Sequence, residues 1–192
     1  MGKFLIRSAL VFLAVVTGLS GVASAVDASA DAVLRVGLYY DSNALPGANL
    51  ENSVGSGYRL GYYEEDLSFH ELGRTSETQI SMVKTQNVTL SDGNYVDGTG
   101  TVTVGCYHLQ LPETYASFQE ALDTAETLTD GFPAWIDGSY YVRSGAYTTK
   151  EEAEAGKAAL GLNDAEVVGT SGYAVSVVVT KTGEVLFEFD GG

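Results

Sequence analysis

The sequence predicts an α+β protein. It reads as an all-β region over residues 33–100, a βαββαβ module over residues 104–172 and a β-hairpin over residues 173–192. Three observations predict this. Between Cys106 and Gly169 one unit is written twice: Tyr115, Ser117, Glu120 and Ala121 have the same spacing as Tyr147, Thr149, Glu152 and Ala153. Such a recurrence marks a duplicated supersecondary unit. Upstream of it stand short alternating runs parted by Gly, Asn and Asp, a strand pattern. Downstream, Val175, Val177 and Val179 alternate up to a turn over residues 181–184, and Val185, Phe187 and Phe189 alternate back. Two strand–helix–strand units build a small sheet with both helices on one face, which leaves the other face open for a ligand.

Taken in order, residues 1–25 read as a secretory signal peptide rather than part of the fold. Lys3 and Arg7 form a basic start, residues 9–19 a short apolar run, and Ala23-Ser24-Ala25 a small-residue cleavage site. The run is too short to span a bilayer comfortably, so an exported protein without a membrane segment after cleavage is expected. Residues 33–40 alternate as a strand, and residues 41–56, with Asn, Pro and Gly, read as a long loop. Tyr58, Leu60 and Tyr62 alternate into the acidic turn Glu64-Glu65-Asp66, and residues 67–72 resume, a hairpin. Residues 79–84 and 87–90 are further short strands, and residues 91–100 a loop rich in Gly, Asp and Asn. The region is expected as a small sandwich or half-barrel.

In the repeat, Tyr107, Leu109 and Leu111 alternate along the first strand. Ala121, Leu122, Ala125 and Leu128 have helical spacing over residues 118–128, with Ser117 as cap. Residues 134–137 form the second strand, Asp137-Gly138 a hairpin turn, and residues 140–147 the third strand. Thr149 caps a second helix to Leu160, with Glu151 and Glu152 in the first turn where the helix dipole favours acids. Gly161 stops it, and residues 165–168 are the fourth strand.

The chain of 192 residues is 45% hydrophobic and 18% charged, a composition that folds. Its formal charge is −15, and loss of the leader removes two cations and no acid, to give −17. That argues against nucleic acid, whose phosphates need a cationic surface, and equally against anionic membrane; a neutral or locally cationic ligand fits better. Cys106 is the one cysteine, so no internal disulfide forms, and it reads as a buried strand residue. His70 and His108 lack partners at metal-ligand spacing. Asp92, Asn94 and Asp97 lack the terminal Glu of a calcium loop. No metal, cofactor or catalytic motif is expected.

The repeat resembles the SPOR domain (sporulation-related repeat). The residues that carry the likeness are Tyr107-His108-Leu109-Gln110-Leu111, Tyr115 and Glu120-Ala121 in the first half. In the second half they are Tyr140-Tyr141-Val142-Arg143-Ser144-Gly145-Ala146-Tyr147. The first half departs at Pro112-Glu113-Thr114, one residue longer than the family's turn. The resemblance implies a fold of ferredoxin or RNA-recognition topology that binds peptidoglycan, with preference for glycan strands stripped of stem peptides. Residues 36–40, 56–62 and 187–192 also resemble the N-terminal part of clostridial proteins related to stage II sporulation protein D. There a lytic transglycosylase domain would follow, beyond Gly192, and its catalytic motif does not occur in this chain.

Alternation places the expected site. If Tyr140 and Val142 face the helices, Ser139, Tyr141 and Arg143 face away, as do His108 and Gln110 on the first strand. Gln110, Ser139, Tyr141 and Arg143, with Thr114 at the strand end, are therefore the candidate glycan-binding residues. Gln and Arg serve sugar hydroxyls and the Tyr ring packs on sugar C–H faces. Trp135 either joins this face or packs beneath the first helix. The expected function is attachment to the cell wall or spore envelope of a Gram-positive bacterium. The alternatives are the non-catalytic part of a sporulation protein D-like enzyme, or a module that binds envelope proteins.

Overall fold

The computed structural model describes residues 45–190, in which thirteen strands and two helices form a mixed α+β, strand-rich fold. The signal peptide, the strand expected over residues 33–40 and the last two glycines lie outside the described residues. β1 is Gly47–Glu51, β2 Tyr58–Tyr63, β3 Phe69–Thr75, β4 Gln79–Lys84, β5 Val88–Ser91, β6 Asn94–Asp97 and β7 Thr103–Val104. β8 (Tyr107–Gln110), α1 (Phe118–Ala125), β9 (Gly131–Ile136), β10 (Ser139–Tyr147), α2 (Lys150–Leu160) and β11 (Glu166–Gly169) make up the repeat. β12 (Val175–Val179) and β13 (Val185–Asp190) close the chain.

Both helices start for the same reason. Ser117 Oγ accepts from the Glu120 amide at 3.3 Å, and Glu120 Oε2 accepts from the Ala116 amide at 3.0 Å. Thr149 Oγ1 accepts from Glu152 N at 3.1 Å, and Glu152 Oε2 from Thr148 N at 3.0 Å. Each pair satisfies amides that the first turn leaves without partners. The repeat in the sequence is thus a repeated cap. Behind each Glu, an alanine (Ala121, Ala153) is fully buried against the sheet. Gly161, at φ 68°, ends α2 in the left-handed conformation that costs glycine least.

One eight-stranded sheet runs β1-β4-β12-β13-β9-β10-β8-β11. All neighbours are antiparallel except β13 and β9, which run parallel over three residue pairs. The four strands of the repeat therefore stand together at one end, and the remaining four at the other. β4 joins the main sheet because both its faces are buried: Ile80 packs on one side, Ser81 and Val83 on the other. The upstream region expected as a small sandwich instead gives β1 and β4 to this sheet. Its remaining strands cover the two faces. The β2–β3 hairpin packs Leu60 and Leu72 beside α1 on Tyr140, Val142, Val177 and Phe187. The β6-β5-β7 sheet packs Val88, Tyr95 and Val104 on Val83 and Val178, on the far face. Each fully buried Leu, Val or Phe contributes about 1.5–3 kcal/mol relative to exposure.

Two strands lie where loops were expected. β1 has a Gly-Ala-Asn-Leu-Glu sequence of weak strand propensity and is held as an edge strand by pairing with β4. β6 pairs with β5 across Asp92-Gly93, whose φ values of 50° and 80° make the mirror-image turn that suits a two-residue hairpin. Asp137-Gly138, at 46° and 84°, does the same between β9 and β10. Among the described residues no helix is long and apolar enough to cross a membrane.

Tyr147 shows how tightly the repeat is packed. Its ring lies between Gly145 and Gly156: a Cβ at the first would stand 2.4 Å from the ring, and one at the second 2.2 Å from its hydroxyl. Gly156→Ala sets a gain in helix propensity of about 1 kcal/mol against overpacking that costs about 1–3 kcal/mol. A Cβ so close to the hydroxyl, with Gly145 against the ring as well, makes overpacking the larger effect. Urea unfolding should show Gly156→Ala less stable than the parent; equal or greater stability would refute this packing.

Candidate functional site

The residues expected on the open face do not form one open site. Gln110 and Arg143 do share the face opposite the helices, as alternation requires, but Arg143 is only 3% exposed. Its Nε donates to Gln110 Oε1 at 3.0 Å. Its Nη1 donates to Glu188 and, at 3.0 Å, to Asp190 Oδ2, both on β13. Tyr141 is half-buried on the same side of β10. The expectation of a free Arg143 is thus corrected. β13, absent from the βαββαβ unit, supplies two acids that a long cation can reach across β9, where Ala134 opposite Glu188 leaves room.

These groups belong to a larger buried cluster. Ser176 Oγ donates to Glu188 Oε2 at 3.2 Å and meets Thr85 Oγ1 at 3.0 Å. The Ser171 amide donates to Asp190 Oδ1 at 3.0 Å. His108, fully buried, approaches the Gly145 carbonyl through Nδ1 at 2.6 Å. A carbonyl only accepts, so Nδ1 carries hydrogen. Nε2 lies 3.0 Å from Glu188 Oε2. Burial opposes ionisation of Glu188, yet His108 and Arg143 outweigh it and hold the carboxyl below its ordinary range. For Asp190, burial is likewise outweighed, by the Ser171 and Arg143 hydrogen bonds.

The other two expected residues, Thr114 and Ser139, line a cleft of about 760 Å³ at one end of the sheet. Its lower wall is Trp135, Tyr140 and Tyr115, with Ser117 and Gln119 from the start of α1; its upper wall is His70, Glu71 and Arg74 of β3. The cleft exists because the hairpin outruns the core. Leu60 and Leu72 are buried, and the Tyr140 hydroxyl donates to the Leu72 carbonyl at 2.8 Å. The next cross-strand pair outward, Tyr62 and His70, is stacked with ring centroids 4.9 Å apart and remains exposed. Trp135 packs edge-on to Tyr140 at 4.5 Å, so it joins the core cluster and the cleft wall together.

Glu71 is the only carboxylate in this lining. Arg59 donates to one of its oxygens and Arg74 Nε lies 2.9 Å from the other. The Arg59 hydrogen bond, with the charges of both arginines and against slight desolvation, holds Glu71 below the usual carboxylate range. His70, Glu71 and Arg74 are site residues that alternation within the repeat could not find, since they stand some forty residues upstream. The signal lay in the hairpin's own pattern, where Leu60 and Leu72 share a side with Tyr62 and His70. Among the described residues no three His, Cys, Asp or Glu side chains are grouped to hold a metal ion. Comparison with protein-family models, curated proteins and solved structures finds no match.

The buried cluster carries a pH dependence of definite sign. Both Glu188 and Asp190 have lowered folded values. Their stabilisation is therefore complete above the unfolded-state range, about pH 4, and is lost as pH falls through the folded values. Relief of surface acid repulsion acts in the opposite direction, so the comparison must be with a variant. The stability advantage of the parent over Asp190→Asn, from urea unfolding, should be largest near pH 7 and shrink below about pH 4. An advantage independent of pH between 7 and 3 would contradict the ionised pair.

Proposed function

We propose that this protein binds peptidoglycan glycan, stripped of stem peptides, in the cleft between the β2–β3 hairpin and the end of the sheet. After export it would thereby be attached to the cell wall or spore envelope. The observation that carries the reading is the chemistry of the cleft. Ring surfaces of Trp135 and Tyr115 suit the C–H faces of a pyranose, and Thr114, Ser117 and Gln119, with Ser139 at the strand end, suit its hydroxyls and acetamido groups. Two of these, Thr114 and Ser139, were singled out from the sequence.

The fold supports the reading at a finer level. β9, β10, β8 and β11 stand in that order, all antiparallel, with α1 and α2 packed on one side. That order supports reading the unit as a βαββαβ module of the sporulation-related kind. In this chain the far face of that unit is occupied at its centre by the Arg143 cluster, which directs the proposal to the sheet end instead. Binding is favoured over hydrolysis of the glycan. A glycosidase needs a carboxylic acid held protonated, whereas Glu71 is held ionised by two arginines.

Co-sedimentation with purified sacculi, before and after an amidase removes the stem peptides, tests the proposal. Binding should rise on the stripped glycan. Replacing both hydroxyls, Thr114→Val with Ser139→Val, should weaken it roughly 10- to 30-fold, the value of two hydrogen bonds at about 1 kcal/mol each. Failure of the parent protein to sediment with either preparation would reject the function. Undiminished binding by the double variant would reject the cleft.

A further inference from the structure

We infer that the cleft reads a free carboxylate on its sugar ligand, and that Arg74 is the residue that reads it. The inference rests on the glycan reading above and adds the charge of the ligand. Arg59, Glu71 and Arg74 form a triad of two cations and one anion on the hairpin, with one net positive charge. The chain around it has a formal charge of −15, so a net positive triad at the margin of this cleft runs against the rest of the surface.

Arg74 engages Glu71 through Nε. Its two Nη groups make no hydrogen bond to the described residues, and its side chain is 74% exposed at the cleft wall. Arg59 stands directly across from Arg74 on the paired strand, with its guanidinium 4.8 Å from the centre of the Phe69 ring, and it does not line the cleft. Arg59 therefore balances Glu71 and leaves Arg74 a cation with donors to spare. Two parallel N–H groups match the two oxygens of a carboxylate, a fit that a neutral sugar hydroxyl does not offer. Elsewhere among the described residues Arg143 is enclosed by its acids, Lys84 is bound to Asp97, and Lys150, Lys157 and Lys181 do not line the cleft. The ligand is accordingly an amino-sugar oligomer in which some rings carry an ionised carboxyl group. An amide at that carboxyl removes both the charge and one acceptor oxygen, and so the fit.

The test titrates the full protein with three oligosaccharides of equal length: β-1,4-linked N-acetylglucosamine; the alternating oligomer with lactyl carboxylates on every second ring; and that oligomer with its carboxyls converted to methylamides. The acidic oligomer should bind about tenfold tighter than the other two, and added salt should narrow the gap. Arg74→Gln should bring the acidic oligomer down to the affinity of the neutral ones, while Arg59→Gln, which leaves the fork in place, should keep a preference. Equal binding of all three by the parent protein, or equal weakening of all three by Arg74→Gln, would overturn the inference and leave the glycan reading standing. No binding of any oligomer would overturn both.

Discussion

The contact on which the rest of the structure depends is the buried guanidinium of Arg143 between Gln110, Glu188 and Asp190. It joins the strands of the repeat to the C-terminal hairpin across β9, at the seam where the sheet changes from antiparallel to parallel pairing. That seam has only three residue pairs in register, so its backbone ladder is short. A buried ion pair of this kind is weak evidence of net stabilisation, because desolvating its members is costly. Breaking one by removing a partner nevertheless costs about 3–5 kcal/mol, since the other charge is left unpaired in the interior. Arg143 thereby bridges the repeat and the C-terminal hairpin across β9.

This assignment decides where a ligand can go. A face whose central cation is enclosed by two carboxylates and a glutamine offers little to a sugar. The hairpin of residues 58–75, anchored by Leu60, Leu72 and the Tyr140 hydroxyl, instead overhangs the far end of the sheet and makes a walled cleft. Aromatic rings and polar groups that are scattered along the sequence converge there. In the proposed reading, one face of the repeat holds the molecule together and the end of the same sheet presents the binding surface.

Much of this was legible in the sequence, for reasons that differ from element to element. The two helices were, because Ser117 with Glu120 and Thr149 with Glu152 write the same amide-satisfying cap twice. The Asp137-Gly138 turn was, because two consecutive positive φ values suit that dipeptide. Asp92-Gly93 carries the same signal and the same geometry, yet its short flanking strands were submerged in a polar loop. β1 was invisible because an edge strand held by backbone bonds needs no alternating side chains. Alternation placed Gln110 and Arg143 on the right face, but period-two reasoning cannot see that Glu188 and Asp190, forty-five and forty-seven residues on, cover the same ground. The upper wall of the cleft was hidden for a like reason, being a long-range contact between segments that share no pattern.

The central claim is that ligand enters at the sheet end and not over Arg143. Trp135 is the only tryptophan in the chain and stands in the cleft wall, so its fluorescence reports on that site alone. Titration with stem-peptide-free glycan should change its emission saturably, at the same concentrations at which the glycan is bound in a separation assay. Glycan binding that leaves Trp135 emission unchanged would place the ligand elsewhere and contradict the account.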